Sequence, residues 1–187
     1  MNWTQRRRRM ARRRLLLRCL GGLVGLLVCG FLVGLTLAPE QVVSRQLRLA
    51  RPPEAIWRVL LDLDGMPMWR SDLVALERLP DQAGGLAWRE IGRSGVRVIA
   101  LTVAEPPHRL VLRRTEAGVP ALPARTFELA SAEGGTLLTL TERTLVRNPL
   151  RRTFNRLHPP RGGIARLLRD LDARLRAGRR EVVARPG

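Results

Sequence analysis

Four charged residues in strand-like stretches mark where this sequence could contact a polar group of a substrate or ligand. They are Glu90, Arg97, Glu128 and Glu142. A buried glutamate or arginine could orient a ligand headgroup, and the two-residue period of a strand decides whether each side chain points inwards. Because one face of an antiparallel sheet commonly meets water, we expect these four side chains to lie on a solvated outer face.

Sequence motifs for catalysis and for cofactors are missing. The two histidines, His108 and His158, are far apart in the sequence and both lie next to prolines. No set of cysteines and histidines has metal-ligand spacing, no serine lies in a Gly-x-Ser-x-Gly elbow, and no glycine loop has the pattern of a phosphate cradle. We therefore predict no catalytic residues, no metal and no cofactor.

The stretch from Pro52 to Asp72 is the best-defined local element. Two prolines and Glu54 are typical of the first turn of a helix, where a missing N–H costs nothing and an acid suits the helix dipole. Gly65 and Pro67 end this helix, and Trp69 follows on a short second element. The apolar residues have the spacing of one buried helix face; they are Ile56, Val59, Leu60 and Leu63.

Strand patterns occupy most of the remaining chain. An edge strand at Val42–Leu49 precedes the helix, and a Glu133-Gly134-Gly135 turn joins two later strands. The other strands are predicted at Leu73–Leu79, Leu86–Ile91, Val96–Val103, Arg109–Thr115, Arg125–Ala130 and Thr136–Val146. Short turns between many strands indicate one antiparallel sheet.

Two helices are predicted after the sheet. Asn148-Pro149 is a cap and first-turn pair that begins a short helix ending at Leu157. A long amphipathic helix follows, with its apolar stripe at Ile164, Leu167, Leu168, Leu171 and Leu175. Strands followed by helices predict an α+β fold.

This order of elements resembles the START-like helix-grip superfamily, the SRPBCC or polyketide cyclase/dehydrase and lipid-transport proteins. The resemblance covers roughly Val42 to Ala177. The matching residues are Ala50, Pro52, Pro53, Glu54, Ile56, Trp57, Asp62, Pro67 and Trp69. It implies a curved antiparallel sheet of about six to seven strands wrapped around a long C-terminal helix, and one such fold hosts many chemistries.

The resemblance also implies a cavity between sheet and helix that takes a lipid or another apolar molecule. Trp69, with Met66 and Met68 beside it, is expected at the mouth and could form a lid. The candidate cavity and lid residues are Trp57, Met66, Met68, Trp69, Trp88, Arg97, Phe127, Leu168 and Leu171. Most of them would also fit a plain hydrophobic core.

An apolar segment near the N-terminus predicts a membrane anchor. Residues 19–38 contain no charge, which is about the length needed to cross a bilayer. A cleavable signal peptide has a shorter apolar core, a lipoprotein needs a small residue before its cysteine, and Val28 before Cys29 is large. A buried core helix would have a polar face, which this segment lacks.

Arginines set the expected orientation of this anchor. The net charge is +18, no lysine is present, and eight arginines lie before residue 19. Because positive flanks stay cytoplasmic, we expect a single-pass cell-membrane protein with its N-terminus in the cytoplasm and residues 39–187 outside. Small-residue pairs at Gly21/Gly25 and Gly30/Gly34 could support a weak homodimer.

A second basic stretch contains Arg147, Arg151, Arg152 and Arg156 and could contact anionic lipid headgroups, each arginine contributing about 1 kcal/mol near the surface. No nucleic-acid-binding motif is present, so no nucleic-acid partner is expected. A solvated basic surface is the simpler interpretation.

The sequence thus predicts a basic tail at 1–14, an anchor helix at 15–38, a START-like domain at 39–177 and a disordered tail at 178–187. The first functional hypothesis is membrane-anchored binding, with possible transfer, of an apolar small molecule or lipid. A cyclase/dehydratase-like enzyme and a structural or interaction module with a filled cavity are the alternatives, and the sequence leans away from an enzyme.

Overall fold

In a computed structural model the chain divides into two compact units, Met1–Pro39 with Val146–Pro159, and Glu40–Leu145 with Pro160–Gly187. The structure describes residues 3–80, 85–115, 123–158 and 162–183. The helices are α1 (Trp3–Thr36), α2 (Pro53–Leu61), α3 (Met66–Trp69), α4 (Pro149–Leu157) and α5 (Gly162–Val183). The strands are β1 (Glu40–Leu49), β2 (Leu73–Arg78), β3 (Ala87–Gly92), β4 (Gly95–Glu105), β5 (Arg109–Arg114), β6 (Ala124–Ala132) and β7 (Gly135–Leu145).

The larger unit contains a seven-stranded sheet in the order β1-β7-β6-β5-β4-β3-β2, and all of its pairs are antiparallel. The β1 strand lies at one edge, as its alternating sequence predicts. Gly95, Gly134 and Gly135 adopt positive φ angles at two hairpin turns, a conformation that glycine reaches without a steric penalty. The predicted α+β helix-grip architecture is confirmed.

One hydrophobic core joins the sheet to α5. The predicted apolar stripe of this helix is buried, from Ile164 to Leu175. It belongs to the same cluster as Leu110, Phe127, Leu138 and Leu140 of the sheet and Ile56 and Leu60 of α2. The helix continues to Val183, beyond the expected domain end at residue 177, and residues 184–187 lie outside the described residues.

A second, smaller core lies beneath α3. Leu63, Met66, Leu73 and Trp88 are buried together, and Trp69 packs against both this cluster and the larger one. Gly65 precedes α3, and its backbone N–H donates to the Asp62 carboxylate at 3.1 Å. The predicted Gly-x-Pro-x-Trp segment therefore forms a single helical turn between the two clusters.

The smaller unit contains α1 and α4. Residues Leu16–Thr36 form one apolar stretch with mean hydropathy 2.3, and almost all of its side chains are exposed. By length and composition this stretch could cross a membrane. The apolar part of a signal sequence can have the same length and composition, so these two properties do not distinguish them. The basic residues from Trp3 onwards belong to the same helix, and side chains are described from residue 16.

The predicted helix after Asn148 is confirmed as α4, with the Asn148 side chain accepting from the Arg151 backbone N–H. This helix packs on α1 at the second small-residue pair. The Thr153 hydroxyl donates to the Gly30 carbonyl at 2.7 Å, and a Cβ at Gly34 would overlap the Pro149 carbonyl. Gly30 and Gly34 are therefore covered by this chain's own helix, whereas Gly21 and Gly25 have open space around them.

Candidate functional site

A cavity of about 60 Å³ lies within the larger unit, between the sheet and the helices α2, α3 and α5. Its lining is mostly apolar and consists of Leu60, Met66, Trp69, Ile99, Leu110, Leu112, Pro123, Phe127 and Leu167. Six charged residues complete it: Arg70, Glu90, Arg97, Arg114, Arg125 and Glu142. An apolar cavity with a few convergent polar groups is the usual form of a small-molecule site.

Arg70 connects two carboxylates on the charged side of this cavity. Its Nη1 donates to Glu90 Oε1 at 2.6 Å, and its Nε and Nη2 donate to the two Asp72 oxygens at 3.1 and 2.9 Å. Arg70 and Glu90 are both buried, at 5% and 2% exposure. The planar fork of the guanidinium allows one arginine to serve both acids.

The pKa values of this cluster follow from its ion pairs. Burial acts to raise the pKa of Asp72, but the hydrogen bonds and charge of Arg70, aided by Arg97 and Arg125, hold that pKa below its ordinary value. Burial acts to lower the pKa of Arg70, but the charge of Glu90 and the bonds to both acids raise it. Arg70 and Asp72 therefore stay ionised at neutral pH.

Two N–H groups on the cavity lining lack an acceptor among the described residues. They are Trp69 Nε1 and Arg97 Nε, both buried atoms. Arg97 reaches the cluster through Nη2, which lies 3.6 Å from Asp72 Oδ2. Because an unsatisfied buried donor costs about 1–3 kcal/mol, these two groups favour a molecule that brings an acceptor oxygen.

The remaining charges give the cavity an excess of positive charge. Arg125 Nε lies 3.4 Å from Glu142 Oε2, and Arg114 lies on the same lining. Four arginines thus face two glutamates on the lining, with the Asp72 carboxylate adjacent. The surplus suits an anionic or oxygen-rich group.

The candidate residues named from the sequence occupy different positions. Met66, Trp69, Arg97 and Phe127 line the cavity. Trp88, Leu168 and Leu171 are buried in the two cores, and Trp57 packs against the larger one. Met68 is 90% exposed, so the structure places it in solvent instead of over the cavity.

The expectation of a solvated outer face is wrong for three of the four charged strand residues. Glu90, Arg97 and Glu142 line the cavity, and Glu128 alone is exposed. Glu90 shares its face of β3 with buried Trp88, and Arg97 lies directly opposite Glu90. Residues opposite each other in a pair of strands share a face, so the sheet register turns both inwards.

Sequence reasoning missed Arg70, Asp72, Arg114 and Arg125. Arg125 precedes buried Phe127 by two positions and lies opposite Glu142, which was a usable signal for its direction. Arg70 and Asp72 follow Trp69 in a short loop, where no periodicity exists to predict their direction.

The basic residues of the smaller unit differ in exposure and in their hydrogen bonds. Arg147, Arg151 and Arg156 are exposed. Arg152 is half-buried and donates to four backbone carbonyls, those of Gly34, Leu37, Val146 and Arg147.

Comparison with family models identifies residues 40–177 as matching polyketide cyclase/dehydrase and lipid transport proteins. The chain belongs to this family. The match covers the sheet and α5, which together enclose the cavity. No match was found among curated proteins.

Solved structures share the fold at low identity. A protein of Mesorhizobium loti superposes with a TM-score of 0.54 at 21% identity, covering 71% of this chain and 95% of its own. The Zhui aromatase/cyclase of Streptomyces sp. R1128 gives 0.55 at 16% identity, covering 76% and 96%. The di-domain ARO/CYC StfQ of the steffimycin biosynthetic pathway gives 0.59 at 14%, covering 74% and 52%.

Proposed function

We propose that this family member is a membrane-anchored protein that binds an apolar small molecule or lipid in the cavity between the sheet and α5. The observation that carries the proposal is the pair of buried donors, Trp69 Nε1 and Arg97 Nε, in an otherwise largely apolar lining. A ligand with an apolar body and acceptor oxygens would bury its body and offer these donors hydrogen-bond partners.

The charge of the cavity narrows the ligand class. Arg70, Glu90 and Asp72 satisfy one another, while Arg97 and Arg114 add positive charge to the lining. A carboxylate, an enolate or a carbonyl-rich end would be attracted to this side. We therefore favour an apolar acid or polyketone over a hydrocarbon without polar atoms.

The volume of the cavity requires a movement during binding. About 60 Å³ is far below the roughly 300–1,000 Å³ of drug-sized ligand sites. The single-turn helix α3 carries Met66 and Trp69 and lies between the two cores, so it is the element that we expect to shift. Met66 and Trp69 would then act as the lid.

The anchor part of the proposal rests on α1. Its apolar stretch of 21 residues is exposed, and only residues 37–39 separate α1 from β1. The arginines before it favour a cytoplasmic N-terminus and an extracytoplasmic ligand-binding domain. A homodimer through Gly21 and Gly25 stays a prediction.

Fluorine NMR of the full-length protein in lipid nanodiscs, labelled with 5-fluorotryptophan, tests the ligand site. Single Trp→Phe variants assign the four tryptophan signals. Titration with decanoate should shift the Trp69 signal saturably, and the signal of Trp57, which is not a lining residue, serves as the internal control. Decanol at equal concentration tests whether the acidic end matters. A Trp69 signal that moves with neither probe would overturn the proposal.

A cyclase-type enzyme is the second candidate, favoured by the buried Glu90 carboxylate on the cavity lining. Its support is weaker because Glu90 accepts from both Arg70 and the Trp88 indole N–H. An interaction module is the third candidate, and the small cavity volume favours it.

A further inference from the structure

The short helix α4 has three distinct faces. Pro149, Arg152 and Thr153 contact α1. The large apolar side chains Leu150, Phe154 and Leu157 are 36%, 62% and 71% exposed, and their i, i+4, i+7 spacing places them on one stripe. Arg151 and Asn155 lie on the remaining face. In water, this apolar stripe would remain exposed to solvent.

Contacts with α1 fix the position of this stripe along the apolar helix. The Thr153 hydroxyl bonds to the Gly30 carbonyl, and Gly34 is buried beneath Pro149. A Cβ at Gly30 would lie 3.5 Å from the Leu150 side chain. The exposed leucines and valines of α1 and the exposed stripe of α4 are therefore parts of one continuous apolar surface.

The depth of this contact follows from helix geometry. The 21 residues from Leu16 to Thr36 give a helix about 30 Å long, which matches the hydrocarbon core of a bilayer. Gly30 precedes Thr36 by six residues, so it would lie roughly 9 Å inside the boundary. Pro149 lies against Gly34 and Thr153 against Gly30, so α4 runs antiparallel to the end of α1 and enters the same boundary beside it.

Arg152 is accommodated at this depth by four backbone carbonyls. Its guanidinium donates to the Gly34 and Leu37 carbonyls at the carboxyl end of α1, at 3.3 and 3.4 Å, and to Val146 and Arg147. These bonds satisfy carbonyls that a helix end leaves without partners and place a cation at its negative end.

We propose that α4 packs on the end of α1 and inserts Leu150, Phe154 and Leu157 into a phospholipid bilayer. Arg147, just before α4, and Arg151, in its first turn, then lie near the level of the phosphates. This inference rests on the proposed membrane anchor and is independent of the ligand. It also implies that α1 is retained, since cleavage would remove the helix on which α4 packs.

Spin-label accessibility of the full-length protein in phosphatidylcholine vesicles containing phosphatidylglycerol tests this. In a Cys19→Ala/Cys29→Ala background, single labels at Phe154→Cys, Leu27→Cys and Val96→Cys are compared for collisions with lipid-dissolved oxygen and with an aqueous nickel chelate. Leu27 reports the anchor, and Val96, an apolar strand residue that is 56% exposed, is the matched aqueous control. We expect oxygen to dominate at 154 and 27 and nickel to dominate at 96.

The outcomes separate the two proposals. A label at 154 that matches 96 while 27 remains in lipid would overturn the insertion of α4 and leave the anchor intact. Labels at 154 and 27 that both match 96 would overturn the anchor and the insertion of α4 together. An Arg151→Cys label should collide with nickel more than the 154 label does, because it lies on the polar face of the same helix.

Discussion

Arg70 holds two acids in place where the sheet meets α3. The Arg70 and Glu90 side chains are 5% and 3% exposed, so neither charge can turn to water if the other is removed. Breaking a buried ion pair is costly because the remaining charge stays desolvated, whereas exposed pairs contribute little. Arg78 and Asp64 form such an exposed pair in the same chain, at 57% and 81% exposure.

Replacing Arg70 by methionine should therefore lower the free energy of unfolding by about 3–5 kcal/mol. Arg78→Met is the matched control, and its effect should stay within about 1 kcal/mol. Urea unfolding of the full-length protein in detergent, followed by tryptophan fluorescence, measures both. Equal effects of the two variants would show that the Arg70 cluster is not buried as described.

Asp72 should make stability depend on pH in the acid range. Its pKa in the folded protein lies below its ordinary value, so the unfolded state binds a proton more readily. The resulting stability is fully present above the unfolded value of about 4 and is lost as pH falls through the native pKa.

The Asp72→Asn variant should accordingly lose less stability than the wild type as the pH is lowered below about 4. Urea unfolding at a series of pH values gives the two curves. Asp64→Asn, which removes an 81% exposed carboxylate, should keep the wild-type slope. Parallel curves for wild type and Asp72→Asn would contradict the role of this carboxylate.

The direction of several site side chains could have been predicted from the sequence. The general expectation that one face of an antiparallel sheet meets water led to the wrong prediction instead. Trp88 and Glu90 are two residues apart in one strand, so an inward Trp88 requires an inward Glu90. The same argument links Phe127 to Arg125. The direction of Arg70 depends on the turn after Trp69, and no period in the sequence predicts it.

At the scale of elements, the Gly30/Gly34 pair of α1 contacts another helix of the same chain. The sequence suggested that these small residues could allow a second copy of α1 to pack closely. At the Gly30/Gly34 pair, α4 of the same chain packs there instead. The extra Cβ of alanine at Gly34 would meet backbone atoms of Pro149, which cannot rotate away, whereas nothing lies within 4 Å of the same position at Gly21.

Gly34→Ala should consequently displace α4 from α1, and Gly21→Ala should not. A spin label at residue 154 would report the change as a loss of oxygen collisions in the Gly34→Ala background. Retention of the wild-type accessibility in both variants would show that α4 does not depend on close approach at Gly34.

Most elements could be predicted because each carries its own local signal. Asn148-Pro149 marks the beginning of α4, Glu133-Gly134-Gly135 marks a hairpin, and the stripe from Ile164 to Leu175 marks α5. The packing of α4 on α1 could not be predicted, since Thr153 and Gly30 are separated by 123 positions and neither has a pattern that names the other. The cavity volume is likewise a property of packing between elements.

At the scale of the whole molecule, one chain contains a basic N-terminal segment, one apolar helix and a helix-grip domain. The charge of +18 is divided between that segment and a mixed-sign domain. A lone ligand-binding domain would need neither the apolar helix nor its basic flank, and their presence in one chain is the reason for proposing that the ligand is bound beside a membrane.

Native mass spectrometry of the full-length protein, gently released from its own membrane, tests the central claim most directly. We predict an intact mass that includes residues 1–38, together with a discrete apolar adduct that is retained in Trp57→Phe and diminished in Trp69→Phe and Arg97→Met. A bare protein mass across several extraction conditions, or an adduct that all three variants retain equally, would contradict ligand binding in the cavity.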